Sequence, residues 1–315
     1  MRDGYMRKID YLRLSVTDRC NFRCVYCMPE EGVLKRQHAD MLSVEEMVEI
    51  VRAFVALGVT KVRITGGEPL VHRAIVEIIR RIAVIDGLRE LCLTTNGVWL
   101  AQLARPLKEA GVTRLNVSLD TLRPNRFARI TRAGSLEETL RGIRAAEEAG
   151  FTNMKINTVL LGGINIDEIP DFVNLTREKD VQVRFIELMP LGVCAAWDRS
   201  AFIAADTVLD AVPALEPIRQ ERVARIYRLP GAVGTVGLIR PLSDYFCPEC
   251  NRVRVTADGR LKVCLHSDRE VTLKGLIGET LRDTILAEIK RKPERHLLTP
   301  VSPSETSRDM NRIGG

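Results

Sequence analysis

The sequence of 315 residues is poor in aromatic residues, in histidine and in long apolar runs. Phe, Trp and Tyr make up 5% of it, and it contains only four histidines. So few rings argue against a surface that stacks the bases of single-stranded nucleic acid. No apolar run reaches the roughly 20 residues that a membrane-spanning helix needs, and the charged N-terminus lacks the apolar core of a signal peptide. We therefore expect neither a membrane nor a nucleic acid as partner.

Charge of one sign is also scarce, since the net charge at pH 7 is only +6. A nucleic-acid-binding module would concentrate basic residues on one face, whereas a weak positive charge suits a small anionic substrate. The hydrophobic content of 45% and the charged content of 28% are typical of a globular protein. Cysteines at metal-type spacing without an export signal predict a reducing, cytoplasmic location.

Three of the eight cysteines lie close together near the start of the chain. Cys20, Cys24 and Cys27 form a Cys-x3-Cys-x2-Cys run. A [4Fe–4S] cluster usually takes four thiolates, so three leave one iron open, and an open metal position is where chemistry takes place. Zinc sites favour paired Cys-x2-Cys units instead. The spacing is the signature of radical S-adenosylmethionine (SAM) enzymes, whose open iron binds the methionine end of SAM.

A second set of three cysteines lies near the other end of the chain, at Cys247, Cys250 and Cys264. By spacing alone, it fits either a second open iron–sulfur cluster or a Cys3His zinc site that includes His266. The N-terminal set favours a second [4Fe–4S] cluster, because a protein that already carries one is a better host for another. Of the two remaining cysteines, Cys92 lies in an apolar, strand-like run that suits core packing. The pattern assigns no role to Cys194.

Strand-like and helix-like segments alternate through the first two thirds of the chain. The predicted strands are YLRLSVTD, KVRIT, ELCLTT, RLNVSL, NMKINTVL and VQVRFIEL, and a cysteine loop or an amphipathic helical pattern follows each of the first five. Six rounds of about 30 residues predict parallel βα units. We expect an α/β fold with an incomplete TIM-type (β/α)6 barrel, in preference to a flat doubly wound sheet, and ligand residues where the strands end.

The rhythm changes after about Met189. RVRVTADGRLKVCL alternates in polarity on both sides of Asp258-Gly259 and predicts a hairpin, and the stretch from Val223 to Leu265 is expected to be antiparallel. We therefore divide the chain into a barrel over residues 1–190 and a C-terminal α+β extension over residues 191–315 that carries the second cysteine set. The polar composition of the tail by itself would suggest disorder.

Two further features carry chemistry. A TGGEP turn follows the second predicted strand, and its glycines would let a ligand approach the exposed backbone. Arg13, Arg63, Lys155 and Arg184 lie within separate strands, where charge is costly unless it has a partner. Any one of them alone is more simply a solvated or paired charge, but four on one barrel predict convergence on a polyanion such as a phosphate chain. Arg252 and Arg254 share one face of the hairpin.

With these motifs in this order, the chain resembles the GTP 3′,8-cyclases of molybdenum cofactor biosynthesis, which belong to the radical SAM superfamily. The matching runs are LRLSVTDRCNFRCVYCMPE, KVRITGGEPL, LTTNG, LNVSLD, KINTVL, VRFIELM, FCPECNRVRVTADGRLKVCL and the terminal IGG. The resemblance covers the chain from about Tyr11 to Gly315. It implies a lyase with two [4Fe–4S] clusters and SAM that joins C3′ of the GTP ribose to C8 of guanine.

The resemblance also implies a role for each matching residue. The cluster ligands would be Cys20, Cys24 and Cys27, with Cys247, Cys250 and Cys264 for the auxiliary cluster. SAM would contact Tyr26, Gly67, Ser118 and Met189. GTP would contact Arg13, Arg63, Thr94, Lys155, Arg184, Arg252, Val253 and Arg254. Catalysis would further involve Arg252, Arg254, Gly314 and Gly315, because the glycine tail is expected to reach into the active site.

The implied partners are GTP, an electron donor and a downstream cyclic pyranopterin synthase, and a homodimer is expected. A peptide-modifying radical SAM enzyme with an auxiliary cluster is the nearest alternative, although such enzymes usually carry more C-terminal cysteines. A two-cluster electron-transfer protein would need full four-cysteine ligation. A zinc-dependent nucleic-acid-binding module would need a concentrated basic face. The sequence supplies neither of these last two features.

Overall fold

The computed structural model describes residues 1–33, 36–299 and 302–314. Six parallel strands follow one another through the first part of the chain. Strands β1 to β6 span Tyr11–Ser15, Lys61–Thr65, Glu90–Thr95, Arg114–Ser118, Met154–Leu160 and Val181–Glu187. Helices α1 to α6 span Val44–Ala56, Ile75–Ala83, Leu100–Glu109, Pro124–Thr131, Leu136–Glu148 and Ile169–Glu178.

The start of helix α1 follows from its first residues. The side chain of Ser43 accepts a hydrogen bond from the Glu46 amide, and the Glu46 carboxylate accepts one from the Ser43 amide. This capping box satisfies two backbone donors that the helix itself leaves unpaired. Helical spacing then places Met47, Ile50 and Phe54 on one buried face. The predicted start of this helix is confirmed.

Helix α4, which supports the N-terminal cysteine loop, was not predicted from the sequence. Pro124 starts it, because proline needs no amide partner in the first helical turn. Phe127 meets Phe22 edge to face with ring centroids 5.8 Å apart. The amides of Arg23 and Val25 donate to carbonyl oxygens in the last turn of α4 at 2.9 Å. A helix of two turns between two stronger patterns carries too little periodicity to be recognised.

Strands β1 to β6 pair in chain order, and every pair is parallel. The helices between them cover the outer face of the sheet, where residues such as Leu12, Leu14, Val62 and Ile64 are buried. Alternate residues on the same strands face the other side, which leaves a polar interior. The sheet curves without closing, so the expectation of an incomplete (β/α)6 barrel is confirmed.

The C-terminal part extends both edges of this sheet. Strands β7 to β12 span Glu216–Glu221, Ala224–Arg228, Thr235–Ile239, Arg252–Val255, Arg260–Lys262 and Val271–Thr272, and helices α7 to α9 span Thr207–Ala211, Gly278–Ile289 and Met310–Ile313. Strand β9 pairs with β6, and β10 pairs with β1. The resulting order is β12-β11-β10-β1-β2-β3-β4-β5-β6-β9-β8-β7.

The pairing of the C-terminal strands corrects one expectation. The hairpin of β10 and β11 is antiparallel, as predicted, and so is the pair of β8 and β9. The inner edges of β9 and β10, however, pair in parallel with β6 and β1. Alternating polarity reveals a hairpin, but it does not identify the strand that pairs with the hairpin's free edge. The expectation that the whole stretch is antiparallel was therefore wrong.

Among the helices of the described residues, none has the length and apolar character of a membrane-spanning segment.

Candidate active site

One cavity of about 940 Å³ lies inside the curved sheet, and both cysteine sets face it. Most of the residues that the sequence analysis selected line this cavity. They are Cys20, Cys24, Cys27, Cys247, Cys250, Cys264, Tyr26, Gly67, Ser118, Met189, Arg13, Arg63, Thr94, Lys155, Arg184, Arg252, Val253 and Arg254. Gly314 contacts two of these arginines, whereas Gly315 lies outside the described residues. Residues from seven separate strands and from the tail are thereby brought together.

The N-terminal cysteines lie on the loop that follows β1. The Cys27 amide donates to the Cys24 carbonyl oxygen at 2.9 Å, and the Phe22 amide donates to Cys20 Sγ at 3.3 Å. Burial raises the pKa of Cys20 to about 11 and raises those of Cys24 and Cys27 further. Without a metal these thiols therefore hold their protons at neutral pH, and binding of iron would release them.

Each cysteine set offers three neighbouring thiols to a metal site. Within each set the thiols lie close enough for their charges to interact. Among the residues that the structure describes, however, no three Cys, His, Asp or Glu side chains converge closely enough to hold one metal ion. Zinc would need sulfur atoms about 2.3 Å from a shared centre. Three thiolates are the donor set that a [4Fe–4S] cluster with one open iron takes, so each cysteine set fits such a cluster.

The second set begins in a short 3-10 turn at Cys247–Glu249. Burial raises the pKa of Cys250, but Lys292 and Arg252 outweigh burial and lower that pKa to about 6. This positive surrounding favours a thiolate and hence an iron ligand. His266, the fourth ligand of the zinc alternative, instead has its Nδ1 3.1 Å from Ser304 Oγ, and its ring packs on His296.

Tyr26 and Asp120 form a buried pair beside the N-terminal cysteines. The Tyr26 hydroxyl donates to Asp120 Oδ2 at 2.7 Å. Burial raises the pKa of Asp120 to about 6, and burial together with Asp120 raises that of Tyr26. Two neighbouring amides, Asn116 and Asn157, each have a buried Oδ1 without a hydrogen-bond partner among the described residues. They line the same cavity, so this wall can accept hydrogen bonds from a polar ligand.

The TGGEP turn packs against the cysteine loop. A Cβ at Gly66 would come within 2.7 Å of the Thr17 carbonyl oxygen, and one at Gly67 would collide with that of Arg19. The Gly67 amide donates to Thr17 O at 2.7 Å, and the Glu68 amide donates to Arg19 O at 2.8 Å. These two amides are therefore bound to the cysteine loop, while the turn still lines the cavity, and the approach of a ligand to its remaining backbone groups stays a prediction. The two glycines allow the turn to brace the cysteine loop at backbone distance.

Three arginines lie side by side at the same level of the sheet. Arg13 on β1 is in register with Arg63 on β2 and with Arg254 on β10. Arg63 Nε donates to the Tyr11 hydroxyl at 2.5 Å, and its Nη1 donates to Thr94 Oγ1 at 3.2 Å. Burial and the adjacent cations lower the pKa of Arg254. Guanidinium groups keep their charge in proteins, so their crowding favours a bound anion.

A second cationic pair lies across the cavity on β5 and β6. Arg184 Nη2 is 2.8 Å from Glu221 Oε2, and Lys155 Nζ is 3.8 Å from the same oxygen. Burial and the neighbouring Arg184 lower the pKa of Lys155 to about 7, although Glu221 raises it. Glu221 ends strand β7, in a segment where the sequence analysis found no motif. A hairpin from outside the barrel thus supplies a carboxylate to two of the predicted substrate residues.

The C-terminal tail enters the cavity between the two cysteine sets. Arg254 Nη1 donates to the Gly314 carbonyl oxygen at 2.6 Å, and Arg13 Nη2 does so at 3.5 Å. Gly314 has φ +85°, and a Cβ there would come within 2.6 Å of Thr65 Oγ1. The Asn311 side-chain amide donates to Asp18 O at 3.0 Å. The described part of the tail is therefore ordered, contrary to its composition.

Several cavity residues escaped the sequence analysis. Asn157 lies two residues after Lys155 on β5, so strand periodicity could have placed it on the same face. Asn116 stands in the same relation to Ser118 on β4. No comparable strand periodicity points to Glu221, because its hairpin reaches the site only through tertiary packing.

Two family models cover most of the chain. The model described as "Radical SAM superfamily" matches residues 14–176, and that described as "Molybdenum Cofactor Synthesis C" matches residues 181–298. The first includes the N-terminal cysteines and strands β2 to β5. The second includes the auxiliary cysteines and the two edge extensions of the sheet.

Three relatives that match over nearly their full length are each named GTP 3′,8-cyclase. A GTP 3′,8-cyclase from Peptoclostridium acidaminophilum is 53% identical and covers 99% of this chain and 98% of its own length. The GTP 3′,8-cyclase of Alkaliphilus oremlandii is 47% identical over both complete chains. That of Geobacter sulfurreducens is 48% identical and covers 99% of each.

Solved structures show the same fold at low identity. Streptococcus suis SuiB bound to S-adenosylmethionine matches with a TM-score of 0.60 at 14% identity, covering 98% of this chain and 78% of that one. Native anSMEcpe with bound AdoMet matches at a TM-score of 0.56 and 12% identity, covering 93% and 84%. These similarities support the partial-barrel fold, and the family models and full-length relatives add the family. The chain belongs to the GTP 3′,8-cyclase family of the radical SAM superfamily.

Proposed function

We propose that this protein is a radical SAM lyase that converts GTP to (8S)-3′,8-cyclo-7,8-dihydroguanosine 5′-triphosphate, an early step of molybdenum cofactor biosynthesis. The observation that carries this proposal is the convergence of two open cysteine sets and at least five cations on one cavity. A single cavity lets one substrate reach both metal sites. Its volume of about 940 Å³ is at the upper end of the range for small-molecule sites, which suits SAM and GTP together.

Each cysteine set would hold one [4Fe–4S] cluster. Cys20, Cys24 and Cys27 are the ligands of the first. Cys247, Cys250 and Cys264 are the ligands of the auxiliary cluster. When bound, the first cluster and SAM supply the one-electron chemistry that removes a hydrogen atom from the substrate. The protein's own part is to hold the reacting atoms in place and to keep water away from them.

The SAM contacts lie beside the first set. Tyr26 is fixed by Asp120, and Gly67 belongs to the turn that braces the cysteine loop. Ser118 and Met189 complete this wall of the cavity. Gly67, Ser118 and Met189 lie at or just after strand ends, so the sheet can hold SAM in one orientation against the open iron.

The GTP contacts occupy the opposite walls. Arg13, Arg63 and Thr94 form one group, and Lys155 and Arg184 form another. Guanidinium groups bind phosphate through two parallel hydrogen bonds, and the ammonium group adds a point charge. These five residues would bind the triphosphate and thereby fix the ribose between the two cysteine sets.

Arg252, Val253 and Arg254 lie on β10, immediately after the auxiliary cysteines Cys247 and Cys250, and line the cavity. We assign to Arg252 and Arg254 a catalytic role in holding the substrate at that set. Gly314 contacts Arg254 and would help to fix the arginine as the tail closes the cavity. Gly315 stays a prediction, because it lies outside the described residues.

Several wider features belong to the same proposal. The reaction needs an electron donor, and a cyclic pyranopterin synthase would consume the product. We further propose a cytoplasmic homodimer, with a radical SAM barrel over residues 1–190 and an auxiliary-cluster region over residues 191–315. The two family matches also divide the chain in two, but they meet between residues 176 and 181, before β6.

An anaerobic assay tests the proposal. Reconstituted, reduced protein would be mixed with SAM and with GTP, ATP or no nucleotide, and the products would be analysed by mass spectrometry. We expect 5′-deoxyadenosine together with a GTP-derived product of unchanged mass and new ring connectivity, and no such product from ATP. Deoxyadenosine without any change in GTP would reject GTP as the substrate.

A further inference from the structure

The carboxylate of Glu221 lies where two predicted phosphate ligands need an anion. Its Oε2 is 2.8 Å from Arg184 Nη2 and 3.8 Å from Lys155 Nζ. Its other oxygen is 3.1 Å from Arg219 Nη2. Arg184 and Lys155 are nearly buried, with 11% and 12% of their side chains exposed. Two buried cations without an anion would be costly, so Glu221 serves as their counter-ion in the substrate-free protein.

The other cavity carboxylates at this end already have separate partners. Glu90 lies 2.7 Å from Lys61 and 3.2 Å from Arg114. Asp10 accepts from Arg222 at 3.1 Å. Glu221 is thus the carboxylate that would compete directly with a phosphate group for Arg184 and Lys155.

The segment that carries Glu221 is weakly held. Residues Glu216–Gln220 of strand β7 are exposed at the edge of the sheet, and its register with β8 is irregular between Pro217 and Arg219. The hairpin tip is tied to the barrel by Arg222 and Asp10, and the Arg222 side chain is 52% exposed. Exposed ion pairs of this kind contribute little to stability. Glu221 itself is 31% exposed, so water can solvate its carboxylate once it leaves.

The inference drawn from these contacts rests on the proposed function, because the competing anion is the triphosphate of GTP. We propose that Glu221 is a displaceable counter-ion: it neutralises Arg184 and Lys155 while the cavity lacks substrate, and the phosphate chain replaces it as the β7–β8 tip moves away. Glu221 is accordingly a specificity residue. It selects for ligands that bring enough negative charge to displace it.

Glu221→Gln tests this directly, since it keeps the shape of the side chain and removes the charge. Equilibrium dialysis of the cluster-loaded protein, without SAM, would compare GTP with guanosine. We expect the variant to bind GTP about three- to tenfold more tightly than wild type, because one competing ion pair is lost. Guanosine, which has no phosphate, should bind equally well to both. Glu216→Gln is the matched control, because Glu216 is exposed on the same strand outside the cavity lining.

A weaker or unchanged affinity of Glu221→Gln for GTP would overturn the inference, because Glu221 would then orient the cations or take no part. Wild-type protein that binds no GTP would instead reject the proposed function. Should the variant fail to fold, hydrogen exchange of the wild-type amides of residues 218–224 remains available. Faster exchange upon addition of GTP supports displacement of the tip, and slower or unchanged exchange contradicts it.

Discussion

Arg254 donates a hydrogen bond from Nη1 to the carbonyl oxygen of Gly314 across 2.6 Å. This contact joins a strand of the barrel edge to the end of the chain, 60 residues further along. It also places the tail against a buried cation of the cavity. Met310 and Asn311 of the tail line the cavity, so we expect removal of the tail to affect catalysis more than folding.

Replacement of Gly314 by alanine tests the placement of the tail. Gly314 has a positive φ, and a Cβ would collide with Thr65, so the tail must leave its position. We expect product formation to fall at least about tenfold, whereas the melting temperature should change little.

Gly150→Ala is the matched control, because Gly150 also has a positive φ but its Cβ would meet nothing within 4 Å. That variant should lose about 1 kcal/mol of stability and keep its activity. Equal activities of the two alanine variants would contradict the assigned position of the tail.

A buried ionic network holds the tail in place. Arg308 donates two hydrogen bonds to Asp258, both at 2.9 Å, and its Nε lies 2.6 Å from Glu270. Arg308→Gln would remove this partner, but Arg36 still pairs with Asp258 and Lys262 with Glu270, so the cost should be about 1–3 kcal/mol. We expect faster hydrogen exchange in residues 302–314 and lower activity. Arg80→Gln, in an exposed pair with Glu77, should change neither. Unchanged protection of the tail in Arg308→Gln would show that other contacts hold it.

The lowered pKa of Lys155 predicts how the affinity for GTP depends on pH. Its pKa of about 7 in the free protein means that it loses its charge as the pH rises above 7, whereas bound phosphate favours the charged form. Binding must then take up a proton, so the affinity should fall up to about tenfold per pH unit between pH 7 and 9.

Lys155→Arg stays charged over this range and should flatten the dependence. Lys179→Arg, at a surface pair with Glu147, should retain the wild-type slope. A steep slope that survives in Lys155→Arg would assign the dependence to another group.

The iron content of the protein distinguishes a [4Fe–4S] cluster from a Cys3His zinc site at the C-terminal cysteines. Cys264→Ser should lower the iron content of the reconstituted protein by about half, because one of two clusters is lost. Cys92→Ser is the control, since Cys92 is buried in β3, donates to Glu90 and is not an expected ligand. Zinc in the wild-type protein, with iron unaffected by Cys264→Ser, would restore the Cys3His alternative.

The sequence predicted the site better than it predicted how the site is held. Cysteine spacing and charges within strands indicate chemistry directly, and parallel strands bring their ends together, so Cys20, Arg13 and Lys155 were placed in one cavity. Helix α4 was missed because two turns give little periodicity. A second role of the glycines in TGGEP was not predicted, since only the folded chain shows that their missing Cβ atoms admit the backbone of Thr17 and Arg19.

The contribution of Glu221 could not be predicted for a different reason. Its strand pairs at the far edge of the sheet, and no local pattern encodes which cations the tip will meet. The tail poses the same difficulty. Its composition suggests disorder, but Arg308 and Asn311 find buried partners nearly 40 and 300 residues earlier in the chain.

The most direct test of the account is product formation by three forms of the protein under identical anaerobic conditions with SAM and GTP. These forms are wild type, Cys27→Ser and Cys264→Ser. Because both cysteine sets face one cavity, we expect the cyclised GTP product from wild type alone. Retention of that product by Cys264→Ser would contradict the claim that both sets act on one substrate.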